Sequence, residues 1–271
     1  MMKLLFAACA TLCTLAPAAA QEAYPSRPVR IVVPYAAGGA TDFIARTVGD
    51  RLSKALGQPV VIDNKAGAAG AIGASEVARA KGDGYVLLMT ITDTQINNTA
   101  LYKNLVYDPQ KDFVGITQIV RSPALISTHQ ATGIKSMADL RAKVAQGNAK
   151  LSYASWGIGG LGHLAGESVN RTLKADMVHV PQRGEAPVVN DLLSGAVDVG
   201  LSSVASAMQH VATGKIVPLA VLGRQRWGPL VFSAITGGTQ TQHWRGGGVG
   251  RSLILLAFLF TFKSGIRGVK P

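Results

Sequence analysis

Two glycine-rich joins stand out in a chain with few other reactive groupings. In IVVPYAAGGATDFIAR, residues 31–46, Gly38 and Gly39 separate a β-type run from a helix-type run, and Ala40, Thr41 and Asp42 follow at once. A helix start offers unpaired N–H groups and the positive end of the helix dipole, where carboxylates and phosphates settle. Glycine lets a ligand approach the backbone and permits positive φ. The same residues also suit a plain turn capped by Thr41 or Asp42, and the join alone leaves both readings open. The second join, SWGIGGLGHL, follows the run KLSYAS and sets Gly157, Gly159 and Gly162 in the G-x-G-x-x-G spacing of dinucleotide sites. The next β run, DMVHVP, leads into Gln182-Arg183, where an arginine could meet a 2′-phosphate. Against a dinucleotide, the motif is mid-chain and no acid ends that next run.

Other catalytic sets are thin. His129, His163, His179 and His210 are scattered without metal-ligand spacing, although His163 directly follows a glycine join. There is no H-E-x-x-H, G-x-S-x-G or P-loop pattern. Asp42, Glu185 and Asp198 could act as acids or bases. Asp42 opens a helix and Asp198 sits on an apolar strand, so capping and hydrogen bonding are the plainer roles for these two. Neither a catalytic residue, a metal nor a cofactor is expected.

The elements that must hold the joins alternate regularly. VRIVVPY reads as a buried parallel strand. The helix after it carries Ile44, Val48, Leu52 and Leu56 on one stripe, with Gly57 suited to its end and Pro59 blocking continuation. PVVID, a small-residue helix in NKAGAAGAIGASEVARAK, and YVLLMT complete a βαβαβ pattern. NNTALYKNLVYDPQKDF reads as irregular surface chain. A second αβ series then opens at VGITQIV, with PALIST, and continues to IVPLAVLG. Two α/β units of about a hundred residues each match ordinary domain size.

The formal net charge is +12, yet seven Lys or Arg and no acid lie from Arg224 onward, leaving 20 basic against 15 acidic side chains before it. The body has no basic stripe with interleaved aromatics, which excludes nucleic acid as the expected partner. At the N-terminus Lys3, the apolar LLFAACATLCTLA and the Ala18-x-Ala20 pattern read as an export signal cleaved after Ala20. Its apolar run is shorter than the roughly 20 residues of a membrane span. Cys9 and Cys13 both lie inside this segment, so the mature chain is expected to have no disulfide, thiolate nucleophile or cysteine metal site.

VRIVVPYAAGGATDFIAR, VVIDNKAGAAGAIGASEVARAKGDGYVLLM, LYKNLVYDPQKDF, GHLAGE and APVVNDLLSGAVDVG together resemble the solute receptors of tripartite tricarboxylate transporters, the Bug receptors, over about residues 24–223. The resemblance implies a periplasmic two-lobe α/β binding protein, type II-like, with parallel-rich sheets and a hinge. It would close on a small carboxylate and serve membrane permease subunits, and we expect it to be monomeric and not an enzyme. It further implies that backbone N–H groups of two loops hold the ligand. The first loop is Tyr35, Ala36, Gly38, Gly39, Ala40, Thr41 and Asp42. The second is Ser155, Gly157, Ile158, Gly159, Gly160, Leu161 and His163, with Asp198 counted among the candidate contacts. Where the family has a hydroxyl in the second loop this chain has Gly160-Leu161, and where it reads Tyr-Lys-Gly this chain has Gln182-Arg183-Gly184. Trp156, Ile158 and Leu161 suggest room for a less polar or aromatic acid. A ligand-sensing receptor and an exported nucleotide-binding enzyme are the competing readings.

The expected division is a signal peptide at 1–20, a first lobe at 21–122, a second at 123–222, and an atypical tail at 223–271 in place of the first lobe's return segment. The tail lacks acids, contains Gly246-Gly247-Gly248 and holds the apolar LILLAFLFTF. It reads as a shifted frame or early end, leaving an open sheet edge and an aggregation-prone segment.

Overall fold

In the computed structural model, residues 24–147 and 150–223 are described in full and 254–262 by backbone alone. The strands are β1 (Val29–Val33), β2 (Val60–Asn64), β3 (Val86–Thr90), β4 (Phe113–His129), β5 (Ser152–Ser155), β6 (Val178–Pro181), β7 (Val199–Ser203), β8 (Ile216–Leu222) and β9 (Ile254–Phe262). The helices are α1 (Ala40–Leu56), α2 (Ala71–Ala78), the single turn α3 (Asn98–Leu101), α4 (Met137–Ala145), α5 (Leu161–Leu173), α6 (Glu185–Ser194) and α7 (Val204–Ala212). The expected βα alternation is present, and its pairing is parallel where a helix crosses between strands: β1 with β2 and β3, and β5 with β6 and β7.

The strand order is β2-β1-β3-β9-β4-β7-β5-β6, with β8 also on β4. The long strand β4 joins two halves of the molecule. Its residues from Phe113 to Pro123 pair antiparallel with β9, and from Ala124 it pairs with β7 and β8 instead. The sequence suggested two separate runs, VGITQIV and PALIST. They form one strand, with Pro123, which has no N–H for a ladder, at the position where the partners change.

Two further expectations are corrected. The segment after β3 is not plain surface chain: Tyr107 and Phe113 are buried, and the Tyr107 hydroxyl donates to Thr94 O at 2.6 Å while accepting from Asn98 Nδ2 at 3.2 Å. The apolar tail segment does not leave an edge open beside β3. Ile254–Phe262 forms β9, running antiparallel between β3 and β4, as a run rich in apolar and aromatic residues can when two strands lack a neighbour. The rest of the tail lies outside the described residues, as does the Ala20 cleavage position.

Helix α1 begins at Gly39 without a side-chain cap and ends at Gly57 in the left-handed conformation, φ 67°. Ile44, Val48 and Leu56 pack on the main core, which also takes in Tyr35, Ile91 and Trp156 from the loops at the carboxyl ends of the strands and Leu161 from the start of α5. Those ends are where open α/β sheets place ligands.

Candidate functional site

The two halves meet face to face at these strand ends. Ala36 N–H donates to Arg183 O at 3.0 Å, a backbone contact across the cleft. Gly184 makes it possible: at φ +147° an added Cβ would lie 2.9 Å from Ala36 N. Beside this contact is a cavity of about 180 Å3, walled by Pro34, Tyr35, the 67–70 turn and Tyr102 on one side and by residues 156–158 and 181–183 on the other. A second pocket of about 10 Å3 lies between Ala36, 39–42, Ile91 and Glu185, and it shares Tyr35 and Trp156 with the first.

The first join is a real strand-to-helix loop, but neither Thr41 nor Asp42 caps α1. Asp42 Oδ2 reaches back to accept Gly38 N–H at 2.9 Å and Arg46 Nε at 2.9 Å. Burial pushes the Asp42 carboxyl up, and the bonds from Arg46 and Gly38 more than reverse this, holding it below the usual carboxylate range. Among the described residues its Oδ1 has no hydrogen-bond partner. The first helical N–H, that of Ala40, is met from the opposite half, by Ser206 Oγ at 3.1 Å and Glu185 Oε2 at 3.4 Å. Glu185 is 8% exposed and also accepts from Ser203 N, Ser203 Oγ and Ser206 Oγ.

The second join mirrors the first. Leu161 N–H, at the start of α5, donates to Asp93 Oδ1 at 3.2 Å, and Trp156 Nε1 donates to Asp93 Oδ2 at 2.7 Å. Asn97 Nδ2 adds a third donor at 2.9 Å. Asp93 belongs to the π-helical turn Asp93–Asn97 after β3, so its carboxylate crosses from one half to the N-terminus of a helix in the other. Burial, the largest influence, raises its pKa to about 6 against the bonds from Trp156 and Leu161, and the charge of Glu185 adds to the rise. Burial also holds the Tyr35 hydroxyl well above its ordinary range, reinforced by Asp93.

The remaining candidates divide clearly. Gly157 and Ile158 line the larger cavity, with Ile158 at its mouth and 61% exposed. Gly159 N–H donates to His163 Nδ1 at 3.0 Å, and Gly160 N–H to Gly157 O at 3.3 Å, so these amides are used inside the loop. His163 stacks on His179, ring centroids 4.1 Å apart, and Ser155 Oγ and His179 Nε2 share a hydrogen bond of 2.8 Å. Burial first, and His163 second, lower the His179 pKa to about 4. Leu161 is core. Asp198 is not at the cleft: its Oδ2 holds Ser152 N and Oγ at the start of β5, which fixes a strand end.

Sequence reasoning missed three contributors. Asp93 carried no motif, only its place just past a buried strand. Glu185 was read as a generic acid, although it follows Gly184 at a helix start. The turn 67–70 was read as an entry into α2, yet Ala68 and Ala69 both hold positive φ, 47° and 48°, and that strained turn walls the cavity. Its signal was AGAAG, small residues bunched after a strand.

The comparisons agree on one family. Residues 44–237 match the family described as tripartite tricarboxylate transporter family receptor. A protein from Pseudomonas sp. (strain P51), encoded in the tcbD-tcbE intergenic region and described as UPF0065, is 34% identical over 205 residues, covering 76% of this chain and 61% of the relative. The chain thus spans about three fifths of the length of such curated relatives. Among solved structures, Rhodopseudomonas palustris Rpa4515 with adipate superposes with a TM-score of 0.79 at 32% identity, covering 89% of this chain and 78% of that one. MatC (Rpa3494) of the same organism, with bound malate, gives 0.78 at 29%, covering 89% and 80%. The α/β fold with parallel-rich sheets, the order of the glycine loops and the family match lead to one statement: this chain belongs to the tripartite tricarboxylate transporter receptor family.

Proposed function

We propose that the protein is an exported solute receptor that closes two α/β lobes, about 21–122 and 123–222, on a small carboxylate and presents it to a membrane transporter of the tripartite type. The observation that carries this is the cavity of about 180 Å3 walled from both halves and latched by Ala36 N–H on Arg183 O. Its size suits a metabolite rather than a larger ligand. The adipate and malate seen in relatives support the ligand class. Loop backbone at Tyr35 and Gly157–Ile158, with the 67–70 turn, supplies the contacts, and Arg183 stands at the same cavity as the cation.

The G-x-G-x-x-G loop does not favour a dinucleotide. A pyrophosphate would need the N-terminus of α5, where Asp93 sits, and Cβ atoms at Gly159 and Gly160 would lie 2.2 Å from Leu101 and 2.7 Å from Asp93. Calorimetric titration of the intact protein with di- and tricarboxylates, aromatic acids and NADP tests the proposal. Saturable one-to-one binding of a carboxylate, with none of NADP, is expected; heat from NADP alone would reverse the reading.

A further inference from the structure

Both helix starts that could hold a ligand carboxylate are already met by the protein's own carboxylates, Glu185 at α1 and Asp93 at α5. Glu185 and Asp93 are 8% and 1% exposed, and among the described residues neither has a cationic partner. Buried anions held only by neutral donors are costly to desolvate, and a second nearby anion adds to that cost. The pocket of about 10 Å3 is lined by Glu185 and by Asp42, which is 3% exposed and whose Oδ1 is unpartnered. That volume holds one water-sized group. Asp42 has Arg46 as its cation at 2.9 Å, and Glu185 has none among the described residues. A third carboxylate there would lie against both, whereas an ammonium matches the space, supplies the donor that Asp42 Oδ1 lacks and offsets the charge of Glu185.

On the other side of Tyr35 and Trp156, the larger cavity is lined by Arg183, which has no acidic partner among the described residues. We infer that the ligand is an amino-bearing carboxylic acid, its ammonium seated in the small pocket against Asp42 and Glu185 and its carboxylate in the larger cavity at Arg183. This rests on the receptor reading and narrows the ligand class within it. Tyr35 and Trp156 border both spaces, so the ligand's short apolar chain passes between these two rings.

The test is a titration of the intact protein with three series matched in length over four to six carbons: ω-amino acids, the corresponding dicarboxylates, and the ω-hydroxy acids. The expected result is at least a tenfold preference for the amino acid at the best length, falling by tenfold or more in Glu185→Gln, which removes the charge at nearly unchanged size. A dicarboxylate or hydroxy acid that binds as tightly as its amino counterpart overturns the inference and leaves the receptor reading standing. A preference untouched by Glu185→Gln also overturns it. No binding in any series overturns the inference, and the receptor reading is then decided by the titration with tricarboxylates and aromatic acids. Should Glu185→Gln fail to fold, the preference of the unaltered protein decides by itself.

Discussion

Asp93 Oδ2 accepts the indole N–H of Trp156 at 2.7 Å, joining the turn after β3 in one half to the loop after β5 in the other. The same carboxylate caps α5 through Leu161 N–H, so one buried group ties the cleft shut and fills a helix start. Trp156→Phe keeps an aromatic ring but removes that donor together with part of the buried indole, so lost packing adds to the lost hydrogen bond. It should destabilise the protein by about 1–3 kcal/mol, the usual cost of an under-satisfied buried polar group, read from urea denaturation at neutral pH. An unchanged midpoint would mean that the contact contributes nothing to the closed form.

The pH dependence can be worked out by sign. Asp93 titrates near 3.8 when unfolded and about 6 when folded, so the stability it contributes below 3.8 is lost as pH rises through that window. His179 moves the other way, from 6.5 to about 4. The folded protein resists protonating it, so its contribution is present above 6.5 and lost as pH falls toward 4. The two slopes oppose each other between about pH 4 and 6. In Asp93→Asn, stability should therefore rise more steeply with pH across that window than in the unaltered protein, and in His179→Gln it should fall. Parallel curves for all three proteins would contradict both assignments.

Gly184→Ala tests closure. Its Cβ would lie 2.9 Å from Ala36 N at a φ that side chains rarely adopt. Each half should keep its secondary structure while affinity for a bound carboxylate falls tenfold or more and the radius of gyration stays at its open value on ligand addition. Normal compaction in this variant would show that the Ala36–Arg183 contact is dispensable.

The strand β9 makes a separate prediction. A chain ending at residue 223 lacks the strand that lies between β3 and β4. Amide exchange should then quicken in β3 and the first part of β4 while β5 and β7 keep their protection, because their partners are unaffected. Equal protection with and without residues 254–262 would show that β9 adds nothing to that sheet.

How much was legible follows from what kind of signal each feature leaves. Helix α5 over LGHLAGESVNRTL and the strands around the joins follow from period and glycine placement, which are local. The merging of VGITQIV with PALIST into β4 depends on partners far along the chain, and so does the seating of LILLAFLFTF residues between β3 and β4. The site divides in the same way. The loops at Gly38–Gly39 and Gly157–Gly159 were readable because backbone chemistry demands small residues there. Asp93 and Glu185 were not, since their roles exist only once the halves meet and each reaches a helix start opposite. Asp198 misled because a carboxylate on an apolar strand looks functional until Ser152 is seen to hold it.

The central claim, that a small carboxylate lies between the two halves, is tested most directly by a crystal structure of the protein with its best-binding carboxylate from titration. The account predicts ligand density in the cavity bounded by Tyr35, Trp156 and Arg183, with Ala36 N–H still bonded to Arg183 O. Ligand bound elsewhere while that cavity stays empty would contradict it.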